Sequence, residues 1–174
     1  SYIKKIGKYY FLFLSYGGLN PDGGYQMRVF RSEKPDGPYK DCYGTSALYS
    51  NYVLNFGSGA LDNRGVLLLC NYQWDTMPVA ELAQGHNSAF NDDKGRSFVV
   101  YHTKFNDGSF GHEVRVHQLF LNDEGWLMAA PYEFDGETIT SEKIASEASI
   151  SNDEIPGDYQ CIRHQYDQNT AANA

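Results

Sequence analysis

Two stretches of the chain copy one another, and that repetition limits the fold more than any other feature. Gly7-Lys8-Tyr9-Tyr10-Phe11-Leu12-Phe13-Leu14-Ser15 lies over Gly95-Arg96-Ser97-Phe98-Val99-Val100-Tyr101-His102-Thr103 at an offset of 88 residues. Gly24-Tyr25-Gln26-Met27-Arg28-Val29-Phe30 lies over Gly111-His112-Glu113-Val114-Arg115-Val116-His117 at an offset of 87. Two offsets that agree to one residue across a gap mean that one structural unit is used twice. A repeated β unit cannot bury its faces alone and stacks against neighbours. These 174 residues are therefore expected to form part of a larger ring.

Strand signals dominate. Short runs rich in aromatic and aliphatic residues fall at 9–16, 25–32, 66–72, 97–105, 112–122 and 126–132. Between them stand turn sequences such as Asn20-Pro21-Asp22-Gly23-Gly24, Pro35-Asp36-Gly37-Pro38, Asp93-Lys94-Gly95 and Asn122-Asp123-Glu124-Gly125. Gly, Asn and Asp supply the positive φ angles that tight hairpins require. Even spacing of short strands reads as a sandwich, barrel or propeller, and the repeat favours the propeller. Each copy reads as one four-stranded blade. The first has strands at 1–6, 9–16 and 25–32 and a weaker one near 39–43; the second has strands at 85–90, 97–105, 112–122 and 126–132. On this reading 44–84 is an insertion, 136–157 a polar linker, and 158–174 the start of a further module.

The 26 aromatic residues, 14 of them Tyr, suit strands and sugar-binding clefts alike. A net charge of −8 without a Lys/Arg run argues against nucleic acid and anionic membranes and points to a neutral partner. No apolar run approaches the roughly 18 residues of a membrane-spanning helix. Ser1-Tyr2-Ile3-Lys4-Lys5 lacks the apolar stretch of a signal peptide. Cys42, Cys70 and Cys161 are odd in number and unpatterned, unlike a disulfide framework or a zinc site.

In Gln84-Gly85-His86-Asn87-Ser88-Ala89-Phe90, His86 sits on the first strand of a blade, which lines the channel of a propeller. Its imidazole is either a metal ligand or substrate contact, or a hydrogen-bonded structural group. Ser15-Tyr16-Gly17-Gly18 leaves a strand for a Gly-rich loop, where backbone approaches a ligand closely and Tyr16 offers a ring to a sugar; the plainer reading is a hairpin entry. Glu113, Arg115 and His117 alternate with Val114 and Val116 and share one strand face. Arg28 stands at the repeat position of Arg115, which reads as a pair of arginines satisfied between blades. No pair of carboxylates stands out as an acid/base couple.

Taken together, Tyr9-Tyr10-Phe11-Leu12-Phe13-Leu14-Ser15-Tyr16-Gly17-Gly18-Leu19, Gly24-Tyr25-Gln26-Met27-Arg28-Val29-Phe30-Arg31-Ser32, Gly85-His86-Asn87-Ser88-Ala89-Phe90, His112-Glu113-Val114-Arg115-Val116-His117-Gln118, Gly125-Trp126 and Ala130-Pro131-Tyr132 resemble the endo-1,5-α-L-arabinanases of glycoside hydrolase family 43. The resemblance runs over most of residues 1–135 and implies an all-β fold: the last two blades of a five-bladed propeller, followed by the start of a β-rich accessory domain. It implies an extracellular or periplasmic enzyme that cleaves arabinan or arabino-oligosaccharides with inversion. A base Asp, a second Asp and an acid Glu do this chemistry, acid and base standing about 6.5–9.5 Å apart. None of the three matches a position here. They are expected upstream of Ser1, so the missing N-terminal blades, in the same or a second polypeptide, become a required partner. His86 matches the residue that holds a metal, usually calcium, in the channel; Tyr16, Gly17 and Asn87 are the candidate substrate contacts. Two other readings stay open: a non-catalytic arabino-oligosaccharide-binding β module, and another family 43 specificity such as arabinofuranosidase or xylosidase.

Overall fold

The computed structural model describes residues 1–20, 23–49, 64–109, 111–137, 151, 153 and 155–159. The expected linker and the module after it lie almost wholly outside the described residues, as does Cys161. Among the described residues the fold is all-β, without an α-helix. The first four strands are β1 (Tyr2–Ile6), β2 (Tyr9–Tyr16), β3 (Gln26–Ser32) and β4 (Val66–Leu69). The second four are β5 (Glu81–Asn91), β6 (Ser97–Phe105), β7 (Glu113–Leu121) and β8 (Leu127–Ala129). Each set forms one four-stranded sheet in sequence order, antiparallel throughout.

The strands form where aromatic and aliphatic residues alternate, and short polar side chains close the turns. Asp92 Oδ1 accepts the amides of Lys94 (3.0 Å) and Arg96 (2.8 Å) between β5 and β6. Asn122 Oδ1 accepts the amide of Trp126 (2.8 Å) between β7 and β8. Such side chains stand in for backbone partners and fix the turn locally.

Two sequence expectations need correction. The fourth strand of the first sheet is not the stretch near 39–43 but β4, inside the segment expected to be an insertion. Lys40 makes only isolated bridges, to Arg31 and Ser46. Asp41 turns the chain there, its Oδ1 accepting the amides of Tyr43 and Thr45. Val66-Leu67-Leu68-Leu69 supplies the apolar run that a packed strand needs, so the extra length lies between β3 and β4. The second correction concerns the repeat. Tyr10 pairs with Ser32, and Ser97 pairs with Leu119, so β2 and β6 superpose at an offset of 87, like β3 and β7, rather than 88. Because side chains alternate faces with a period of two, that one residue decides which faces correspond.

At this register the two sheets stack in a directional way. Phe11, Phe13, Met27, Val29 and Leu69 of the first sheet meet Ala89, Val99, Tyr101, Leu119 and Leu127 of the second in one core. The counterparts of Phe13, Met27 and Val29 in the second sheet are Val100, Val114 and Val116, which lie on its opposite, outer face. Met27 is fully buried, whereas Val114 is 64% exposed. The other flank mirrors this. Ala89 is 3% exposed, whereas its counterpart Ile3, on the outer face of the first sheet, is 47% exposed. The front of one unit thus covers the back of the next, a contact that uses two different surfaces and leaves both ends open. Phe90, Phe120 and Met128 widen the apolar area on the second sheet's open face.

Truncation should report the difference directly. Met27→Ala is expected to cost about 2–5 kcal/mol, and Val114→Ala to stay within about 0.5 kcal/mol, in urea unfolding of residues 1–174.

Candidate functional site

The strand that carries His86 is the least regular in the molecule. Within β5 the pairing to β6 shifts register between Leu82 and Gly85 and again between Gly85 and Ser88. Ala83 (φ 55°) and His86 (φ 52°) both take left-handed backbone conformations, each a strain of about 1–3 kcal/mol for a non-glycine residue. The cause is visible in Gly85, whose backbone presses against the Tyr25 ring. A Cβ added there would lie 2.2 Å from the ring. The bulge re-aims the chain, so that His86 leaves the ladder with an exposed side chain while its amide donates to Ser15 Oγ (3.1 Å).

The connection between β2 and β3 forms the opposite wall. Gly18 donates its amide to Gly23 O (2.8 Å), and a Cβ on Gly23 would meet Gly18 O at 2.2 Å, so this loop closes only with glycine at 23. Gly17 is buried beside it. Tyr16 is buried too, and its hydroxyl accepts a hydrogen bond from the Tyr49 hydroxyl (3.1 Å). The open ring face expected for stacking on a sugar is therefore absent from Tyr16, which instead braces the loop.

Four aromatic rings converge between these walls. His102 stacks on Tyr25 at 5.8 Å between centroids, meets His112 edge-on at 4.7 Å, and lies 6.2 Å from His86. Burial, reinforced by the nearby His112, His86 and Lys104, holds the His102 imidazole below its ordinary pKa. His102 Nδ1, Asn87 Nδ2 and both side-chain amide atoms of Gln84 are buried without a hydrogen-bond partner. Each such atom forgoes about 1–3 kcal/mol. Their concentration with the two strained residues around one bulge marks this as the region where stability gives way to function.

Sequence reading singled out neither His102, His112, Tyr25 nor Gln84. One signal was present: Tyr25 and His112 occupy the same repeat position, and both converge on His102. The structure brings Asn87 and His86 to this region, with Gly17 in the facing loop.

Glu81, at the start of β5, is a buried carboxylate that the sequence did not reveal. Arg115 Nε lies 3.2 Å from Glu81 and 3.3 Å from Glu133, while its guanidinium also reaches Glu113 at 2.9 Å. Burial raises the Glu81 pKa, and Arg115 opposes this. Arg28, at the matching repeat position, is fully buried and donates to Gln26 Oε1 (2.8 Å) and Gly65 O (3.0 Å). Both arginines are satisfied, but each within its own unit, not between the two as expected from the sequence. Cys42 and Cys70 form no disulfide among the described residues. Among the described residues no group of three or more His, Cys, Asp or Glu side chains is arranged to hold a metal ion. Calcium takes six to eight oxygen ligands; at this bulge the Gln84 side-chain oxygen is buried without a hydrogen-bond partner, and His86 presents an imidazole.

No family model matches the chain. It is 43% identical over 169 residues to extracellular endo-α-(1→5)-L-arabinanase 2 of Bacillus subtilis (strain 168), covering 92% of this chain and 34% of that protein. The solved family 43 glycoside hydrolase of Bacillus licheniformis is 40% identical, with a TM-score of 0.69 over 79% of this chain and 32% of its own. The endo-1,5-α-L-arabinanase structure from Thermotoga petrophila is 37% identical, with a TM-score of 0.71 over 90% of this chain and 33% of its own. At such identity over nearly its whole length, the chain shares the fold of the matching part of these hydrolases. Its relatives include extracellular endo-α-(1→5)-L-arabinanases, and its structural neighbours include a family 43 glycoside hydrolase. It spans about a third of the length of the relatives it matches.

Two outcomes test the site's construction. Gly85→Ala should expel Tyr25 from its seat and destabilise the fold by about 1–3 kcal/mol, read from chemical unfolding together with loss of the ring contacts of His102 in NMR. The second concerns Glu81. A carboxylate held above its ordinary pKa of about 4.3 contributes stability that is present below that pH and lost as pH rises through the folded value. Glu81→Gln should therefore flatten the fall in unfolding free energy over that window, measured by urea titration at a series of pH values.

Proposed function

We propose that these residues form two neighbouring blades of a five-bladed propeller that hydrolyses α-1,5-linked L-arabinan with inversion, and that catalysis needs blades upstream of Ser1. One observation carries the reading: the surface that packs Met27 and Val29 against the second sheet recurs on that sheet around Val114 and Val116, apolar, with Val116 half-buried and Val114 exposed. A further unit belongs there, and another on the flank that exposes Ile3. The similarity to extracellular arabinanases supports both the substrate and a place outside the cell.

In this reading the acid Glu protonates the leaving oxygen and the base Asp activates a water on the far side of the sugar ring. Both come from upstream blades. The present residues supply one wall of the cleft. Gly17 lets backbone approach the saccharide, Asn87 offers its unpartnered amide to a sugar hydroxyl, and Tyr16 braces the loop from beneath. His86, an exposed imidazole freed by the β5 bulge, is the residue that would face a calcium ion, with water and groups from other blades completing the shell. A cation in the channel, when bound, favours ionised carboxylates nearby.

The test is an assay of reducing sugar released from debranched arabinan. Residues 1–174 alone should release none, and joining or adding the upstream blades should restore hydrolysis. Cleavage by the purified 1–174 chain would refute the proposal.

A further inference from the structure

At the opposite end of the sheets from the Tyr16–Gln26 connection lies an open cleft of about 600 Å³. It sits where β2 begins and β3 ends, with Trp126 of the second sheet on its far side. Tyr9, Arg31, Glu33, Lys34, Lys40 and Asp41 contribute to its lining. Arg31 is its fixed point. The guanidinium carbon lies 4.3 Å from the centroid of the Tyr9 ring and 4.0 Å from that of Trp126, and Nη1 donates to Glu124 O (2.6 Å). Two aromatic faces and one carbonyl hold the group in place without neutralising it. A preorganised guanidinium presents a rigid fork to a carboxylate and loses little freedom on binding.

The charges around it are placed to the same effect. Among the described residues no carboxylate forms an ion pair with Arg31, Lys34 or Lys40. Of the two acids in the lining, Asp41 is already engaged by the amides of Tyr43, Thr45 and Gly65, and Glu33 is exposed to water. Lys8 adds a further cation, 4.9 Å from the Tyr9 centroid. The lining thus carries three cations, Arg31, Lys34 and Lys40, against Glu33 and the already engaged Asp41, in a chain of net charge −8. A cleft of this size holds several sugar rings, whereas a single phosphate would occupy a small part of it.

We propose that this cleft binds an acidic polysaccharide, with a uronate carboxylate on Arg31 and neighbouring uronates on Lys34 and Lys40. It is a second saccharide site, independent of the arabinan cleft at the other end of the sheets and not reliant on the hydrolytic reading above.

The test is affinity electrophoresis of the full-length protein through gels that contain polygalacturonate, its fully methyl-esterified neutral form, or arabinan. Polygalacturonate should retard the protein, and the neutral ester should not. Raising the salt should weaken the retardation, because exposed charges are screened within about 10 Å at 0.1 M salt. The exposed double variant K34A/K40A, which leaves the aromatic sandwich intact, should weaken binding by about tenfold, equivalent to about 1.4 kcal/mol; Arg31→Gln should remove the rest. Arabinan retardation and arabinan hydrolysis should be unchanged in K34A/K40A, which separates this site from the first. Absence of retardation by polygalacturonate, equal retardation by the methyl ester, or an unaltered K34A/K40A variant would overturn the proposal. Displacement by inorganic phosphate at concentrations that leave ionic strength unchanged would also overturn it, assigning the cleft to a free anion.

Discussion

The directional contact between the two sheets is the constraint on which the rest of the structure depends. Phe11, Phe13, Met27 and Val29 project from one side of the first sheet into Ala89, Val99, Tyr101 and Leu119 on the other side of the second. Burying a side chain such as Met27 is worth about 1.5–3 kcal/mol, so this layer is a principal source of cohesion among the described residues. It also fixes where β5 lies, because β5 packs against β1, β2 and β3 as well as against β6. Gly85 can therefore rest on the Tyr25 ring, and His86 is turned out of the ladder. The strained histidine strand follows from the sheet stacking.

A surface that joins two unlike faces has no natural end. Symmetric pairing would bury the same patch on both partners and stop. Here the apolar patch that binds the second sheet reappears on its outer face, and the receiving patch reappears on the outer face of the first. Closing such a series into a ring would satisfy every face at once, which is why the proposed propeller suits the exposed Val114, Phe120 and Met128 better than a two-sheet sandwich. The same geometry divides the molecule by end. The Gly-rich loop, the bulged strand and the imidazole cluster gather where β2 leads to β3, while the cationic cleft lies where β1 turns into β2.

Much of this was legible in the sequence, and the parts that were not share a cause. β2 and β6 carry alternating aromatic and aliphatic residues between strong turn signals, and they lie at 9–16 and 97–105 as read. The repeat identified the unit. It could not separate an offset of 87 from one of 88, because local similarity does not record which residues face each other across a ladder. β4 was misplaced for a related reason. Val66–Leu69 joins its sheet across a segment of more than thirty residues, and contact across such a separation leaves no local signature. His86 was singled out from its motif. The gathering of His102, His112 and Tyr25 was not, since those residues meet only after β6 and β7 pair and Gly85 seats the ring. Tyr16 looked available from its neighbours in sequence, but it is buried and its hydroxyl meets that of the distant Tyr49.

The most direct test is carbene footprinting of residues 1–174, alone and joined to the proposed upstream blades. The account predicts that Phe90, Val114, Phe120 and Met128 on one flank, and Ile3 and Leu12 on the other, are labelled in the isolated chain and protected in the longer protein. Met27 and Val29 should be unlabelled in both. Flanks that are already protected in a monomer of residues 1–174, or that stay equally labelled in the longer protein, would contradict it.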